Sequence, residues 1–464
     1  MGGPQRGTDF RLVSTNTLKL RSFGWDITGN SRRGCCPTTH GKRECIANLR
    51  QCSTTNNHAT SSAVKQCTRF LRACMTKNSR LAAHITRTLG CAVLLACTSP
   101  ESTLVGVPTV PDDVSAATRV VANAVRAADS LLVVHAGRDA REIAKAGLPR
   151  DQGGLIGLNR EWGQMYAARF QMGTGAALRM ALTTASSSDG ARDAQLAMTG
   201  IEVGLQGMDA IGRPLTGLPL SVSMGREAAP VDVASGAAFF LGDACLGLLA
   251  LEAAPERSVL VTTARRRELR AKLVHSIQWM TSQSSLLLDG DRSAPNRLLF
   301  DARAYLACGA LADDSAIRAV SDLFIDKFRK SVTPTGWFLE ANGWDTSYQA
   351  VSLDIGMDVA VLLAEGTTRT GLVTDLVRGS AWLVARVAAD GRVDSRGNTR
   401  TCSGGEAFLG TPKSLALTSV VIGLARVAVI GAAPVDASLL DAAHRVSGWA
   451  RGNPGVNPCF EGIL

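Results

Sequence analysis

The sequence predicts an all-α fold, an incomplete ring of helical hairpins that follows a disordered N-terminal extension. Three observations carry this. Beyond about Val114, apolar residues recur at helical spacing, while strand-like alternation is confined to 218–222 and 258–263. Aromatic residues make up only 5% of the chain and alanine is abundant, which suits packed helices better than a β-sandwich, and a hydrophobic content of 45% is enough for a large core. Glycines that break the helical pattern at 290, 336 and 391 are spaced by about one helical hairpin plus its loops.

The first 74 residues stand apart. They hold twelve Lys/Arg against three Asp/Glu, whereas residues 97–464 carry 35 basic and 37 acidic residues, so the formal +10 of the chain is concentrated at its start. The bulk of the protein is near neutral and offers no basic face for nucleic acid. Cys35, Cys36, Cys45, Cys52, Cys67 and Cys74 lie in this segment without a zinc-ligand spacing. Its Ser, Thr, Asn and Arg content with little apolar periodicity reads as disorder.

From Met75 the chain runs MTKNSRLAAHITRTLGCAVLLACTSPES, with Lys77, Arg80 and Arg87 ahead of an apolar run at 89–96 and then Cys97. That is the layout of a secretory signal, and the run is too short to span a bilayer as a helix. Leu94-Leu95-Ala96-Cys97 resembles a bacterial lipobox, which implies lipidation at Cys97, a start at Met75, and an exported protein held to a membrane in the periplasm or at the outer membrane. A Ser/Thr/Pro-rich tether, 98–113, then leads to a helical domain over 114–464.

Helical periodicity is evident at 115–134, 160–185, 193–208 and 233–252. Asp313-Asp314-Ser315 signals the start of a helix with Ile317, Val320, Leu323, Phe324 and Phe328 on one face, and Leu376, Val377, Leu383, Val384 and Val387 mark another. One hairpin cannot bury its own apolar face, so several must stack or close into an α/α toroid. The loops at 289–296, 336–345 and 390–400 would then share one end.

The middle loop is the densest in polar and aromatic groups: residues 335–351, TGWFLEANGWDTSYQAV, contain two of the seven Trp and one of the three Tyr. Together with Ala294-Pro295-Asn296-Arg297 and with Asp394-Ser395-Arg396-Gly397-Asn398-Thr399-Arg400, Gly336-Trp337-Phe338 and the loop to Tyr348 resemble the catalytic α/α-toroid domain of the hyaluronate/chondroitin AC type of polysaccharide lyase. The resemblance covers roughly 270–430. It implies β-elimination on a uronate polysaccharide by a monomer without a cofactor. The family's C-terminal β-sandwich domains have no counterpart, and its central-loop His is replaced here by Glu340, Asn342 and Asp345.

Lyase chemistry needs a neutralised substrate carboxylate, a base for the C5 proton and an acid for the leaving oxygen. Tyr348 suits the acid, or both roles beside a cation; Asn342, Asn296, Arg297 and Arg400 suit the carboxylate; Trp337 and Trp344 suit sugar faces. Each also has a structural reading, as helix cap, ion pair or plug of the bundle end. An inverting glycoside hydrolase on the same toroid needs two separated carboxylates, with Asp289, Asp291, Glu340, Asp345 and Glu406 as candidates. A non-catalytic glycan-binding lipoprotein is a third class. Of the histidines, only His275, which precedes the first loop, is retained as a site candidate. The sequence has no HExxH and no phosphate-binding glycine loop with Lys, so no metal or cofactor is expected.

Overall fold

Helices carry the chain in the computed structural model, which describes residues 110–145, 168–214, 229–408, 411–431 and 434–462, all within the unit Thr103–Leu464. The extension 1–74, the signal over 75–97 with Cys97, the tether up to 109, the glycine-rich 153–157 and the strand candidate 218–222 lie outside the described residues. The strand candidate 258–263 is instead a helical turn, Arg257–Leu260, followed by Thr262 as a helix cap. The β-branched run there gives way because the Thr262 hydroxyl accepts from the Arg265 amide and starts the next helix.

The main helices are α1 (Ala116–Lys145, broken at Gly137), α2 (Thr174–Leu182), α3 (Ser188–Leu205), α4 (Pro230–Glu252), the turn α5 (Arg257–Leu260), α6 (Thr263–Thr281), α7 (Ser284–Gly290), α8 (Pro295–Ala312), α9 (Ser315–Ala319), α10 (Ser321–Arg329), α11 (Thr346–Leu362), α12 (Thr367–Val384), α13 (Leu417–Arg426, continued by a π turn, Val427–Gly431) and α14 (Ala437–Gly452). Among the described residues the strands are one two-residue antiparallel pair, β1 (Ala407–Phe408) and β2 (Thr411–Pro412).

Packing follows chain order. Helices α2, α4, α8, α11 and α13 each pack against the next, and α3, α6, α10, α12 and α14 lie against them in turn. Helix α1 touches α2, α4, α8, α11, α13 and α14. The inner helices are therefore buried on most sides: α4 is long and apolar enough to cross a membrane, yet it is buried along nearly its whole length within the helical array. The disulfide Cys245–Cys308 joins α4 to α8, and Phe239 and Phe300 pack with ring centroids 4.4 Å apart across the same contact. The face expected on the 315–328 helix is modified: Asp314 caps α9, the chain re-starts as α10, and Leu323 is exposed while Ile325 is buried with Phe324 and Phe328.

One turn recurs in this array. After α3, α10 and α12 the chain reverses with Gly212, Gly336 and Gly391 in the left-handed region (φ 85°, 96° and 89°). Their amides donate to the carbonyls of Asp209, Thr333 and Ala388 at 3.0 Å, and the amides of these same three residues donate to Arg213, Trp337 and Arg392. A side chain on any of the three glycines would strike the carbonyl of His275 on α6, Arg378 on α12 or Arg445 on α14. The structural repeat thus runs through Gly212, not through Gly290, which ends helix α7.

At the centre, three arginines and three aspartates from five helices form a buried charge network. Arg179 on α2 holds Asp129 on α1 bidentately (3.0 and 2.6 Å) and Asp358 on α11 (2.8 Å). Asp358 also meets Arg303 on α8 (3.2 Å) and Arg426 on α13 (2.6 Å), which reaches Asp354 (3.0 Å). Burial alone would neutralise Asp358, but the three guanidiniums hold it ionised. Removing one member of such a network leaves an uncompensated buried charge, at about 3–5 kcal/mol.

Candidate active site

The start of α11 fixes the site. Asp345 is its N-cap: Oδ1 accepts from the amides of Ser347 (3.0 Å) and Tyr348 (3.1 Å), and Oδ2 accepts from the amides of Arg400 (3.0 Å) and Thr401 (2.7 Å). Its carboxylate therefore anchors the third loop onto the second. Asn398 adds to the seam, with Oδ1 accepting from the Thr346 amide (2.9 Å) and hydroxyl (2.8 Å). The first loop joins through the Ala341 amide on the Ser293 carbonyl (3.3 Å). All three loops singled out in the sequence therefore meet at one end of the helices.

The third loop folds back as a hairpin that brings Arg400, Glu406 and Lys413 together. Glu406 N donates to Arg400 O (2.9 Å), Lys413 N to Glu406 O (2.8 Å) and Cys402 N to Lys413 O (2.9 Å). The side chains form one chain of contacts. Glu406 accepts from Arg400 Nε (2.7 Å) and Nη2 (3.1 Å) and from Lys413 Nζ (2.6 Å). Arg400 Nη1 binds Glu340. Lys413 Nζ donates to the Tyr348 hydroxyl (2.9 Å), and the Arg400 guanidinium sits 4.2 Å from the centroid of the Tyr348 ring.

Two carboxyls on one guanidinium are driven apart. Burial pushes Glu340, only 2% exposed, up to about 7, against the opposing pull of Arg400. Burial would also raise Glu406, but Arg400 and Lys413 outweigh it and hold that carboxyl at about 2. Burial disfavours the charge on Arg400, yet Glu406, Tyr348 and Glu340 keep it a permanent cation. Two further arginines lie within electrostatic range: Arg169 feels Arg297, Asp232 and Tyr348, and Arg297 acts on Glu340.

The remaining candidates divide. Arg297 pairs with Asp291 (3.0 Å). Asp291 lies beside the fully buried Asp301, whose carboxyl is pushed well up by burial and by the neighbouring carboxylate. Asn296 is buried in the first turn of α8, with no partner for its Oδ1 among the described residues. Asn342 is outside the cluster: Ala341 and Asn342, with φ of 50° and 68°, form the tight turn between the paired Glu340 and Gly343, so its side chain is exposed at the tip. Trp337 and Trp344 meet edge to face at 5.9 Å, and Trp344 faces a separate groove. His275 lies away from this cluster: its Nε2 meets the Ala210 carbonyl (3.2 Å) and its own carbonyl backs Gly212, so it clamps the turn after α3.

Lys413 and Arg169 were not legible as site residues. Lys413 lies 65 residues beyond Tyr348, after a Thr-Pro pair with no helical pattern to place it. Comparison of the chain with protein-family models, with curated proteins and with solved structures finds no match.

Proposed function

We propose that the chain is a carbohydrate-active enzyme that cleaves an acidic, uronate-containing polysaccharide by β-elimination. The observation that carries this reading is the Tyr348 hydroxyl, held by Lys413 Nζ at 2.9 Å with Arg400 against its ring. Because Lys413 donates, the phenolic oxygen accepts there, and the ammonium lies where it stabilises negative charge on that oxygen. In this reading Tyr348 reacts after its own proton has passed to solvent: the phenolate oxygen takes the C5 proton of a uronate unit, the C5–H electrons become the C4=C5 double bond as the C4–O bond breaks, and Tyr348 hands that proton to the departing oxygen, which restores the phenolate. Arg400 and Lys413 adjoin the phenol itself, and in this reading they favour the substrate carboxylate and the charge that develops beside it.

The fold reading is that the stacked hairpins form an incomplete α/α toroid. Its support is the sequential packing of the inner helices, the recurring turn, and the contact of α1 with both α2 and α13, the first and last of that series. Export fits the two disulfides, Cys245–Cys308 and Cys402–Cys459, since such bonds persist in oxidising compartments. The lipid anchor at Cys97 and the bacterial cell envelope remain part of this proposal on the sequence pattern alone.

A second reading, an inverting glycoside hydrolase, is favoured by Glu340 and Glu406, whose environments set one near 7 and the other near 2. Incubating residues 98–464 with uronate polymers separates the two. Elimination yields unsaturated ends that absorb in the ultraviolet and disappear in Y348F. New reducing ends without that absorbance support the hydrolase, and saccharide binding without cleavage supports a binding protein.

A further inference from the structure

A groove of about 560 Å³ lies beside the loop end, between the end of α12 and the second and third loops, and none of the Tyr348 cluster lines it. Its walls are Trp344, Trp382, Ala385, Arg386, Asp394, Arg396 and Gly397. Gly397, at φ 72°, lets the Trp344 indole lie on bare backbone, and Trp344 Nε1 donates to the Arg396 carbonyl (3.3 Å). Arg386 sits between two indoles, 4.2 Å from the Trp382 centroid and 5.4 Å from that of Trp344. Asp394 accepts from Arg396 Nη2 (2.8 Å) and lies 3.8 Å from Arg386. The groove thus holds two arginines against one carboxylate, and the Arg396 side chain is nearly half exposed.

We infer that this groove binds an acidic sugar unit, as a second saccharide site of the same chain. Indole rings pack on the C–H faces of a pyranose, and although the Arg396 fork is held by Asp394 through Nε (3.1 Å) and Nη2 (2.8 Å), two guanidiniums beside one carboxylate leave positive charge for a ligand carboxylate or sulfate. Open walls suit a unit within a longer chain rather than an enclosed small molecule. The groove adjoins the proposed catalytic end through the backbone, since the Trp344 carbonyl accepts from the Thr399 amide (3.0 Å) one residue before Arg400. This inference rests on the proposed acidic-polysaccharide reading for its ligand class, not for its location.

The test is titration of residues 98–464 carrying Y348F with a uronate tetrasaccharide, read by tryptophan fluorescence and calorimetry, with a neutral tetrasaccharide of equal length as control. W382A and R396A, each checked for retained helicity, are expected to weaken uronate binding ten-fold or more; R396A should leave the weak response to the neutral sugar unchanged, whereas W382A should weaken that too. Unchanged affinity in both variants overturns the inference, as does equal affinity for the two sugars. The two readings fail separately. Polymer cleavage by the parent chain with W382A and R396A still binding normally sinks only the groove. Loss of tetrasaccharide binding in these variants, without cleavage of any polymer by the parent, sinks only the enzyme.

Discussion

Lys413 Nζ and the Tyr348 hydroxyl are 2.9 Å apart although 65 residues separate them in the chain. The pair exists because the β1–β2 hairpin folds the third loop over the first turn of α11, and Glu406 holds the ammonium from the other side at 2.6 Å. In this arrangement Lys413 positions the phenol and Arg400 supports its ring.

If Tyr348 moves the proton, Y348F should lower kcat on a uronate polymer by about 10²–10⁴-fold, the usual worth of a general acid or base. Melting temperature should change little, since the hydroxyl is bonded to Lys413 at a partly exposed position. K413M should lower kcat less and shift the pH profile, whereas a merely structural lysine would leave the profile where it is. Steady-state rates across pH for the three proteins check this.

Glu340 gives a stability signature that does not depend on activity. Its carboxyl is raised from 4.5 to about 7 in the folded protein. A carboxyl raised on folding binds its proton more tightly in the native state, so stability is highest below about 4.5 and declines as pH rises towards 7. The whole effect is about 3 kcal/mol. E340Q should flatten that decline, and urea unfolding at pH 5 and pH 8 should show the variant gaining on the parent at the higher pH. An identical pH dependence in both proteins would refute the assignment.

Asp345 is expected to matter for stability first. It caps α11 and accepts from the backbone of Arg400 and Thr401, so D345A leaves buried amides unpaired on two loops. A lost cap costs about 1 kcal/mol and each orphaned buried donor about 1–3 kcal/mol. D345N should recover part of the loss through its remaining oxygen. Thermal and denaturant unfolding measure both.

Cys402 lies two residues beyond Arg400 and is bonded to Cys459, whose neighbour Phe460 accepts from the Ser395 amide at 2.7 Å. The bond staples the C-terminal segment onto the loop that carries Arg400. Its 57-residue separation corresponds to about 4 kcal/mol in the chain-entropy account. C402A/C459A should therefore lower the unfolding midpoint and loosen the site loop, seen as faster amide exchange over 394–406. The fully buried Cys245–Cys308 bond should resist reductant longer than this half-buried one.

The residues alone determined that the described domain is helical, because a 3.6-residue apolar period leaves a chain one way to bury its stripe. They also placed much of α1, α3, α4 and α12, since the apolar period of each is legible within its own segment. Residues 335–351 were visible as the loop to watch for the same reason: Glu340, Asp345 and Tyr348 are close in sequence and stay close in space. What each of them does was decided only by tertiary structure. Asp345 became an anchor because the third loop offered it two amides, Glu340 became a buried carboxyl because Arg400 arrived from 60 residues away, and Asn342 was left at a turn tip. Lys413, the buried Arg–Asp network and both cysteine pairings join distant elements. No periodicity records such contacts, because their energy depends on which helix faces meet and not on the spacing within any one of them.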